Sequence, residues 1–225
     1  RWIGSNVEFW PPERDQEQLR SPRYFGAVHY REAFHIDPHN YALGLAALAE
    51  KAGARIFEET PAVSLDPAGV RKRIVTPDGR VRAAQVVLAG NVHLGALMPQ
   101  LAATLLPVTT FVMVTGPIGE ILHEVVRYRG AVSDSTRADN HYRIVGGGRL
   151  QWSGRMRAWE ANPSFAGRAL ANDIRRTFPD LGKIEVAHLW GGTFGRTVHR
   201  MPQIGEIERG VWLVSRFGGH GLNTS

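Results

Sequence analysis

Residues with the types and spacing for ligand chemistry are concentrated at the end of the chain. The last ten residues, from Arg216 to Ser225, read Arg-Phe-Gly-Gly-His-Gly-Leu-Asn-Thr-Ser and follow an apolar run at Val211–Ser215. A strand, a glycine loop and a helix beginning at Leu222 would together direct backbone N–H groups and the positive end of a helix dipole at a ligand. For this segment taken alone, a tight turn without a ligand is the alternative.

Other candidate motifs give weaker evidence for a functional site. His35, Asp37 and His39 have a spacing that could hold a metal ion, but Asp37 is needed as a helix cap and no second cluster completes a coordination shell. We therefore expect no metal. The chain contains neither G-x-G-x-x-G, nor a phosphate-binding P-loop, nor a G-x-S-x-G nucleophile elbow. Motifs alone thus indicate neither a nucleotide site nor a hydrolase triad.

The first half of the chain supplies elements that could position such a loop. Pro38 at a first helical position and Gly53 at a C-terminal stop predict a helix between them. Pro77-Asp78-Gly79 predicts a hairpin, and Ala54–Phe57 is expected to be a short strand. The apolar run from Gln85 to Gly90 ends in small residues, as expected of a buried strand whose end meets a ligand.

From Pro107 onward the pattern changes. Strands are predicted at 108–115, 142–145, 150–153 and 185–190, with Gly146-Gly147-Gly148 as a turn. A helix is predicted at 165–178. This order of strands and helices favours a discontinuous α+β arrangement over a simple doubly wound sheet.

Composition excludes several classes of protein. The chain has 225 residues and no cysteine, which rules out disulfides, thiolate metal sites and cysteine nucleophiles within it. Its net charge of +6 comes from arginines dispersed along the chain rather than from a basic block, a pattern that argues against nucleic-acid binding. No apolar run reaches the length of a membrane span, and a cytoplasmic location is expected.

Several separated segments together resemble flavoproteins of the D-amino-acid-oxidase type. They are His35-Ile36-Asp37-Pro38 at a helix start, Val86–Asn91 after the hairpin, Arg200–Gly205, and Phe217–Gly221 after the last strand. Within that superfamily the chain is most similar to gamma-glutamylputrescine oxidoreductases. The shared patterns are I-x-P-x-N-x-A-L-G at Ile36–Gly44, A-G-N-x-x-L-G at Ala89–Gly95 and R-x-P-Q-x-G at Arg200–Gly205.

The resemblance implies a fold and a domain organisation. The fold class is α+β, with an incomplete α/β FAD-binding part and an antiparallel-sheet substrate domain. Residues 1–23 are expected to be a lead-in, 24–106 and 201–225 a partial FAD-binding domain, and 107–200 the substrate-binding domain. The β-α-β unit with the glycine fingerprint is expected to precede Arg1, and a further helix is expected to follow Ser225.

The resemblance also implies an activity. A flavin-dependent oxidoreductase of this type transfers a hydride from the carbon beside an amine nitrogen to FAD, the imine hydrolyses, and oxygen or another acceptor reoxidises the flavin. No acid–base pair is required, so no catalytic residue is assigned. The FAD is expected to be non-covalent, because relatives that tether it use a cysteine near the position of Gly191-Gly192.

Site residues carried over from the family fall on both parts of the chain. Val63 is assigned to the adenosine side of FAD, and Ala89, Gly90 and Asn91 to the diphosphate side. The isoalloxazine ring is assigned to Gly218, Gly219, His220, Gly221, Leu222 and Asn223. Arg143 and Trp190, on strands of the substrate domain, are candidates for binding a small-molecule amine; a solvated arginine and a core tryptophan are the alternative.

This chain alone is expected to bind FAD poorly and to be inactive, because the helix that normally holds the diphosphate is not in it. The exposed remnant of its FAD face would be apolar and prone to self-association. A non-catalytic fragment or binding domain without flavin is the second hypothesis, and an anion- or nucleic-acid-binding module is the third.

Overall fold

The computed structural model describes residues 6–95, 97–135, 140–158, 163–199 and 201–217. The chain divides into two compact units. Residues 1–37 and 110–192 form the first unit, and residues 38–109 and 193–225 form the second. The mixture of helices and antiparallel strand pairs confirms the α+β class.

Within the described residues there are thirteen strands and five α-helices, with 3-10 turns at Asn91–Leu94 and Pro179–Leu181. The helices are α1 Pro12–Gln18, α2 Pro38–Lys51, α3 Pro99–Ala102, α4 Glu120–Val125 and α5 Pro163–Thr177. The strands are β1 Val7–Trp10, β2 Ala27–Tyr30, β3 Ser64–Asp66, β4 Lys72–Thr76, β5 Gly79–Ala83, β6 Val86–Leu88, β7 Leu106–Thr115, β8 Val132–Ser133, β9 His141–Val145, β10 Arg149–Arg157, β11 Val186–Arg196, β12 Gln203–Glu208 and β13 Val211–Ser215. No helix within the described ranges is long and apolar enough to cross a membrane.

The first unit is built on a five-stranded sheet with the order β11-β7-β10-β9-β8. Strands β9 and β10 form an antiparallel hairpin in which Arg143 faces Gln151. The predicted glycine turn joins them, and Gly147 and Gly148 adopt positive φ angles of 75° and 64° that favour glycine. The hairpin register fixes which side chains share a face of the sheet.

Helix α5 covers one face of this sheet. Its Leu170 and Ile174 are fully buried against Trp152, which stacks on Tyr142 with ring centroids 4.5 Å apart. Residues predicted to be a lead-in also contribute, since β1 pairs with β2 and Leu19 lies in the same hydrophobic core. Burial of these aromatic and aliphatic side chains is the main stabilising term of the unit.

An ion pair connects α5 to strand β10 of the sheet. Arg155 in β10 has a positive φ of 60°, an uncommon conformation for a residue with a Cβ. Its guanidinium donates from Nε and Nη2 to the two carboxylate oxygens of Asp173 at 2.7 and 2.6 Å. The bidentate geometry and the burial of Asp173 make this a strong, oriented contact that offsets the strained backbone.

The second unit contains two three-stranded sheets. In one, β13 lies between β12 and β6 and runs parallel to β6. In the other, β3, β4 and β5 form an antiparallel meander that includes the predicted hairpin at Pro77-Asp78-Gly79. Helix α2 lies where the capping pattern predicts it, but its apolar side chains are exposed, with Leu45 at 48% and Leu48 at 63%.

We predict that Asp173→Ala lowers the free energy of unfolding by about 2 kcal/mol, because it leaves a half-buried guanidinium without its carboxylate. Urea denaturation followed by circular dichroism measures the change. Arg168→Ala on the exposed face of the same helix is the control and should shift stability by less than about 0.5 kcal/mol. Equal effects of the two substitutions would show that the ion pair contributes nothing specific.

Candidate functional site

The carboxyl ends of β6 and β13 form the edge of the second unit where the family-derived cofactor residues begin. The parallel register pairs Val211 with Val86 and Leu213 with Leu88, so both strands end at the same edge. Ala89, Gly90 and Asn91 follow β6 directly, and Arg216 follows β13. Ligands of open α/β sheets bind outside the carboxyl ends of parallel strands, so the location suits a cofactor site.

The backbone at this edge is tightly turned. Gly90 begins a 3-10 turn, and a Cβ at this position would lie 2.9 Å from Leu94 Cδ2. Asn91 has a positive φ of 49°, and its side-chain oxygen accepts a hydrogen bond of 3.0 Å from the backbone N–H of Gly195. The turn after β6 is thereby anchored to strand β11. A small residue followed by an anchored turn permits close approach of a ligand to the backbone.

The contact leaves little room at Gly195. A Cβ there would lie 2.6 Å from Asn91 Oδ1 and 3.0 Å from Leu105 Cδ2, so a larger residue would require these side chains to shift. The neighbouring residues of β11 and the segment before β7 line a cleft of about 470 Å³ that includes Thr104, Arg196 and Thr197. The Nε atom of Arg196 is buried, and no group in the described part of the chain accepts a hydrogen bond from it.

Arg216 is a buried cation at the same edge. It is 1% exposed, has a positive φ of 68°, and its burial lowers the pKa of the guanidinium from the usual value. Its terminal nitrogens donate to Thr104 Oγ1 at 2.8 Å, to Gln203 Oε1 and to the carbonyl of Leu101. These acceptors are neutral, and no described carboxylate forms an ion pair with it. The guanidinium is therefore held inside the unit by neutral hydrogen-bond acceptors.

The other residues assigned from the family are placed as follows. Val63 lies just before β3, 53% exposed, and its N–H donates to the carbonyl of Val75 at 2.8 Å. Val63 thus precedes a strand of a different sheet from β6, the strand that Ala89, Gly90 and Asn91 follow. Gly218, Gly219, His220, Gly221, Leu222 and Asn223 lie outside the described residues.

Arg143 and Trp190 both lie in the five-stranded sheet of the first unit, on β9 and β11. Two strands separate them, which corresponds to about 14 Å at the usual strand spacing. Trp190 is 47% exposed, so it is not the core tryptophan of the alternative hypothesis. Arg143 is half-buried and hydrogen-bonded to the carbonyl of Ile36 and to Gln151, so it is not a freely solvated arginine either.

Sequence reasoning did not single out Gly195 or Arg196, and it included Arg216 only as the first residue of the C-terminal glycine segment. A glycine inside a long strand indicates that another group approaches its backbone closely, and this signal was present at Gly195. The burial and positive φ of Arg216 could not be predicted from the sequence, because they arise only from the folded unit.

A comparison with protein-family models decides the class of the protein. Residues 1–225 match the family described as FAD dependent oxidoreductase, abbreviated DAO. The chain belongs to this family. After β6, a glycine and an anchored turn form this edge, and the buried Arg216 lies in the same unit. These features fit FAD, the dianionic dinucleotide that the family description names.

Curated relatives agree with this membership. The chain is 30% identical over 220 residues to a probable oxidoreductase OrdL of Rhizobium meliloti (strain 1021), covering 96% of this chain and 50% of that protein. It is 29% identical over 227 residues to the gamma-glutamylputrescine oxidoreductase of Escherichia coli (strain K12), covering 99% of this chain and 52% of that protein. The chain thus spans about half the length of the curated relatives it matches.

Solved structures confirm the fold. The glycine oxidase from Geobacillus kaustophilus superposes with a TM-score of 0.82 at 19% identity, over 96% of this chain and 59% of that one. The L-proline dehydrogenase from P. horikoshii gives a TM-score of 0.81 at 18% identity, over 98% and 61%. At these identities the likeness concerns the fold alone.

We predict that Gly195→Ala destabilises the protein by about 2 kcal/mol, because the added methyl group must displace either Asn91 or Leu105. Thermal unfolding of the chain measures the loss as a lowered Tm. Gly192→Ala is the matched control on the same strand, since a Cβ at that position meets nothing within 4 Å. A Tm for Gly195→Ala within 1 °C of the control's, roughly the error of such a scan, would mean that the contact with Asn91 is not tight.

Proposed function

We propose that this chain is part of an FAD-dependent enzyme that oxidises the C–N bond of an amine to an imine, which then hydrolyses. The observation that carries the proposal is the match of the whole chain to the FAD-dependent oxidoreductase family. The names of relatives indicate amines and amino acids as substrates of those proteins, as in gamma-glutamylputrescine oxidoreductase and glycine oxidase. Bound FAD supplies the redox chemistry by accepting a hydride from the carbon beside the nitrogen, and oxygen or another acceptor reoxidises it.

The proposed role of this chain's residues is to bind the cofactor and the substrate and to orient them. In the proposal Ala89, Gly90 and Asn91 hold the diphosphate side of FAD at the carboxyl end of β6, and Val63 lies at the adenosine side. Gly218, Gly219, His220, Gly221, Leu222 and Asn223 hold the isoalloxazine ring. Arg216 contributes a fixed positive charge to the same unit, which favours a negatively charged cofactor over a neutral one.

The chain's substrate-binding part is proposed to be the five-stranded sheet of the first unit. Its strands place Arg143 and Trp190 as candidate contacts for the amine substrate. The division proposed from the sequence, with 24–106 and 201–225 binding FAD and 107–200 binding substrate, assigns cofactor and substrate to different parts of the chain. A cytoplasmic location, non-covalent FAD and self-association through exposed apolar residues remain predictions.

We expect the complete protein to be isolated yellow, with an FAD spectrum that is lost to the supernatant after acid precipitation. The 225-residue chain alone should bind FAD with a Kd weaker than about 1 µM. Its binding free energy would then be several kcal/mol less favourable than that of typical tight cofactor sites. Fluorescence titration of FAD into the isolated chain measures this. Micromolar or tighter binding by the chain would contradict the expected dependence on further polypeptide, and a colourless complete protein would favour the non-catalytic alternative.

The substrate class is predicted from Asn223, which takes the place where sarcosine-type relatives carry a lysine above the flavin. Asparagine is neutral and can only hydrogen-bond, so it gives a small N-methyl amino acid no positive charge to pair with. A longer amine, of the gamma-glutamylputrescine or polyamine sort, is therefore expected to have a kcat/KM at least about tenfold above that of sarcosine. A substrate panel with the complete enzyme measures the ratio, and a preference for sarcosine would refute the argument from Asn223.

A further inference from the structure

The second unit has another cleft, at the opposite end of β6 from the cofactor edge. Its volume is about 700 Å³, and the charged and amide side chains along it are those of Lys72, Gln85, Glu206, Glu208 and Arg209. Gln85 directly precedes β6, whereas the family-derived cofactor residues follow it. The three residues of β6, about 10 Å of strand, lie between the two places. We call this cleft the amino-end cleft.

Lys72 brings a buried ammonium group to the amino-end cleft. The residue is 3% exposed, and its Nζ donates to the carbonyl of Gly69 at 2.7 Å. It forms no ion pair within the described ranges, and the carboxylate of Asp66 is bound by Arg73 and by the N–H of Ala68. An ammonium group has three N–H donors, so two remain for a ligand. Because burial of a charge with a single acceptor is unfavourable, a further acceptor would stabilise Lys72.

The packing around Gly210 fixes the donors of the cleft in place. Gly210 has a φ of 76°, and a Cβ there would lie 2.9 Å from the carbonyl oxygen of Ala84, 3.1 Å from Lys72 Cε and 3.5 Å from Gln85 Oε1. The side chains of Lys72 and Gln85 therefore both approach the same glycine. Gln85 Oε1 accepts a hydrogen bond of 2.9 Å from Trp212 Nε1, so its amide nitrogen keeps two N–H donors.

Two carboxylates belong to the same cleft. Glu206 Oε1 accepts a hydrogen bond of 2.7 Å from the N–H of Gly210, which leaves its second oxygen available, and Glu208 is exposed. With Lys72 and Arg209 the cleft thus has two cations and two carboxylates. None of these four groups forms an ion pair with another residue in the part of the chain that the structure describes. The cleft is balanced in charge, yet its charges are not paired with each other.

We propose that the amino-end cleft binds a small zwitterion of the amino-acid type. Its carboxylate would accept hydrogen bonds from Lys72 and Gln85, and its ammonium group would donate to Glu206 and Glu208. An anion without an ammonium group would bring negative charge to two carboxylates, and an amine without a carboxylate would bring positive charge to Lys72 and Arg209. A zwitterion satisfies both sets of groups. This site is separate from the proposed cofactor edge and does not depend on the proposed function.

A ligand in the amino-end cleft would connect the two three-stranded sheets of the unit. Lys72 lies on β4 of the meander, Gln85 directly before β6, and Glu206 and Glu208 on β12 of the other sheet. Because these groups come together only in the folded unit, the ligand binds the folded state and raises its stability. Binding should therefore appear as a concentration-dependent rise in Tm.

The experiment uses the complete protein and three ligands that share one apolar group. They are L-valine, 3-methylbutanoate, which lacks the ammonium group, and 2-methylpropylamine, which lacks the carboxylate. Calorimetric titration measures each Kd, thermal unfolding measures the rise in Tm, and the flavin absorbance spectrum reports any ligand at the cofactor. Wild type should bind L-valine with a Kd below about 1 mM, at least about tenfold more tightly than either analogue, without a change in the flavin spectrum.

Two variants separate the two ends of the ligand. Lys72→Met keeps the apolar stem and removes the charge, so it should reduce the preference for L-valine over 2-methylpropylamine to about 1. The double variant Glu206→Gln with Glu208→Gln should instead remove the preference for L-valine over 3-methylbutanoate. Lys51→Met is the matched control, because Lys51 is an exposed residue at the end of α2, outside the cleft, and both preferences should be kept.

Several outcomes would overturn the assignment. They are unchanged preferences in folded Lys72→Met, an equal loss in Lys51→Met, wild-type binding of 3-methylbutanoate as tight as that of L-valine, or no saturation by L-valine up to about 10 mM. L-valine binding that changes the flavin spectrum and persists in both variants would place the ligand at the cofactor instead. If Lys72→Met does not fold, the double glutamine variant decides, since both of its positions are exposed.

Discussion

The parallel pairing of β6 with β13 is the constraint on which the proposed cofactor edge depends. These strands are far apart in the sequence, yet the register of Val86 with Val211 and of Leu88 with Leu213 makes their carboxyl ends coincide. All four side chains are buried, so the pairing is stabilised by removal of apolar surface from water. Because of this register, the turn at Gly90 and Asn91 and the start of the segment at Arg216 lie at one edge of the unit.

The alternation of its strands gives the sheet of the first unit two chemically different sides. One side of the sheet is occupied by the aromatic and aliphatic cluster around Trp152, Phe178 and α5. The other side keeps polar and cationic side chains whose positions are fixed by the same register. A mutation on the covered side therefore acts on folding, whereas Arg143 and Gln151 can change with little cost to the core. Such a separation lets a shared fold accept different substrates.

Local signals predicted much of the secondary structure. Pro38 and Gly53 bracket α2, Pro77-Asp78-Gly79 forms the hairpin turn, and 165–178 corresponds closely to α5. Ala54–Phe57 is not a strand, because no described strand pairs with it and Phe57 remains 63% exposed. Strand β12 was missed because glutamates and Gly205 interrupt its apolar alternation. Its residues form a strand by pairing with β13. The contact of Asn91 with Gly195 and the burial of Arg216 are long-range, and no local pattern encodes them.

The excess of arginine has a physical explanation once the contacts are known. Arg14 and Arg31 bind Glu8, and with them the pKa of that carboxyl falls to about 2. Arg155 holds Asp173, and Arg216 is enclosed by neutral acceptors. A polyanion such as nucleic acid requires a continuous surface of free cations, whereas these are positioned singly. Isolated, oriented guanidinium groups suit single acceptors at defined points, which is how Glu8 and Asp173 are bound here.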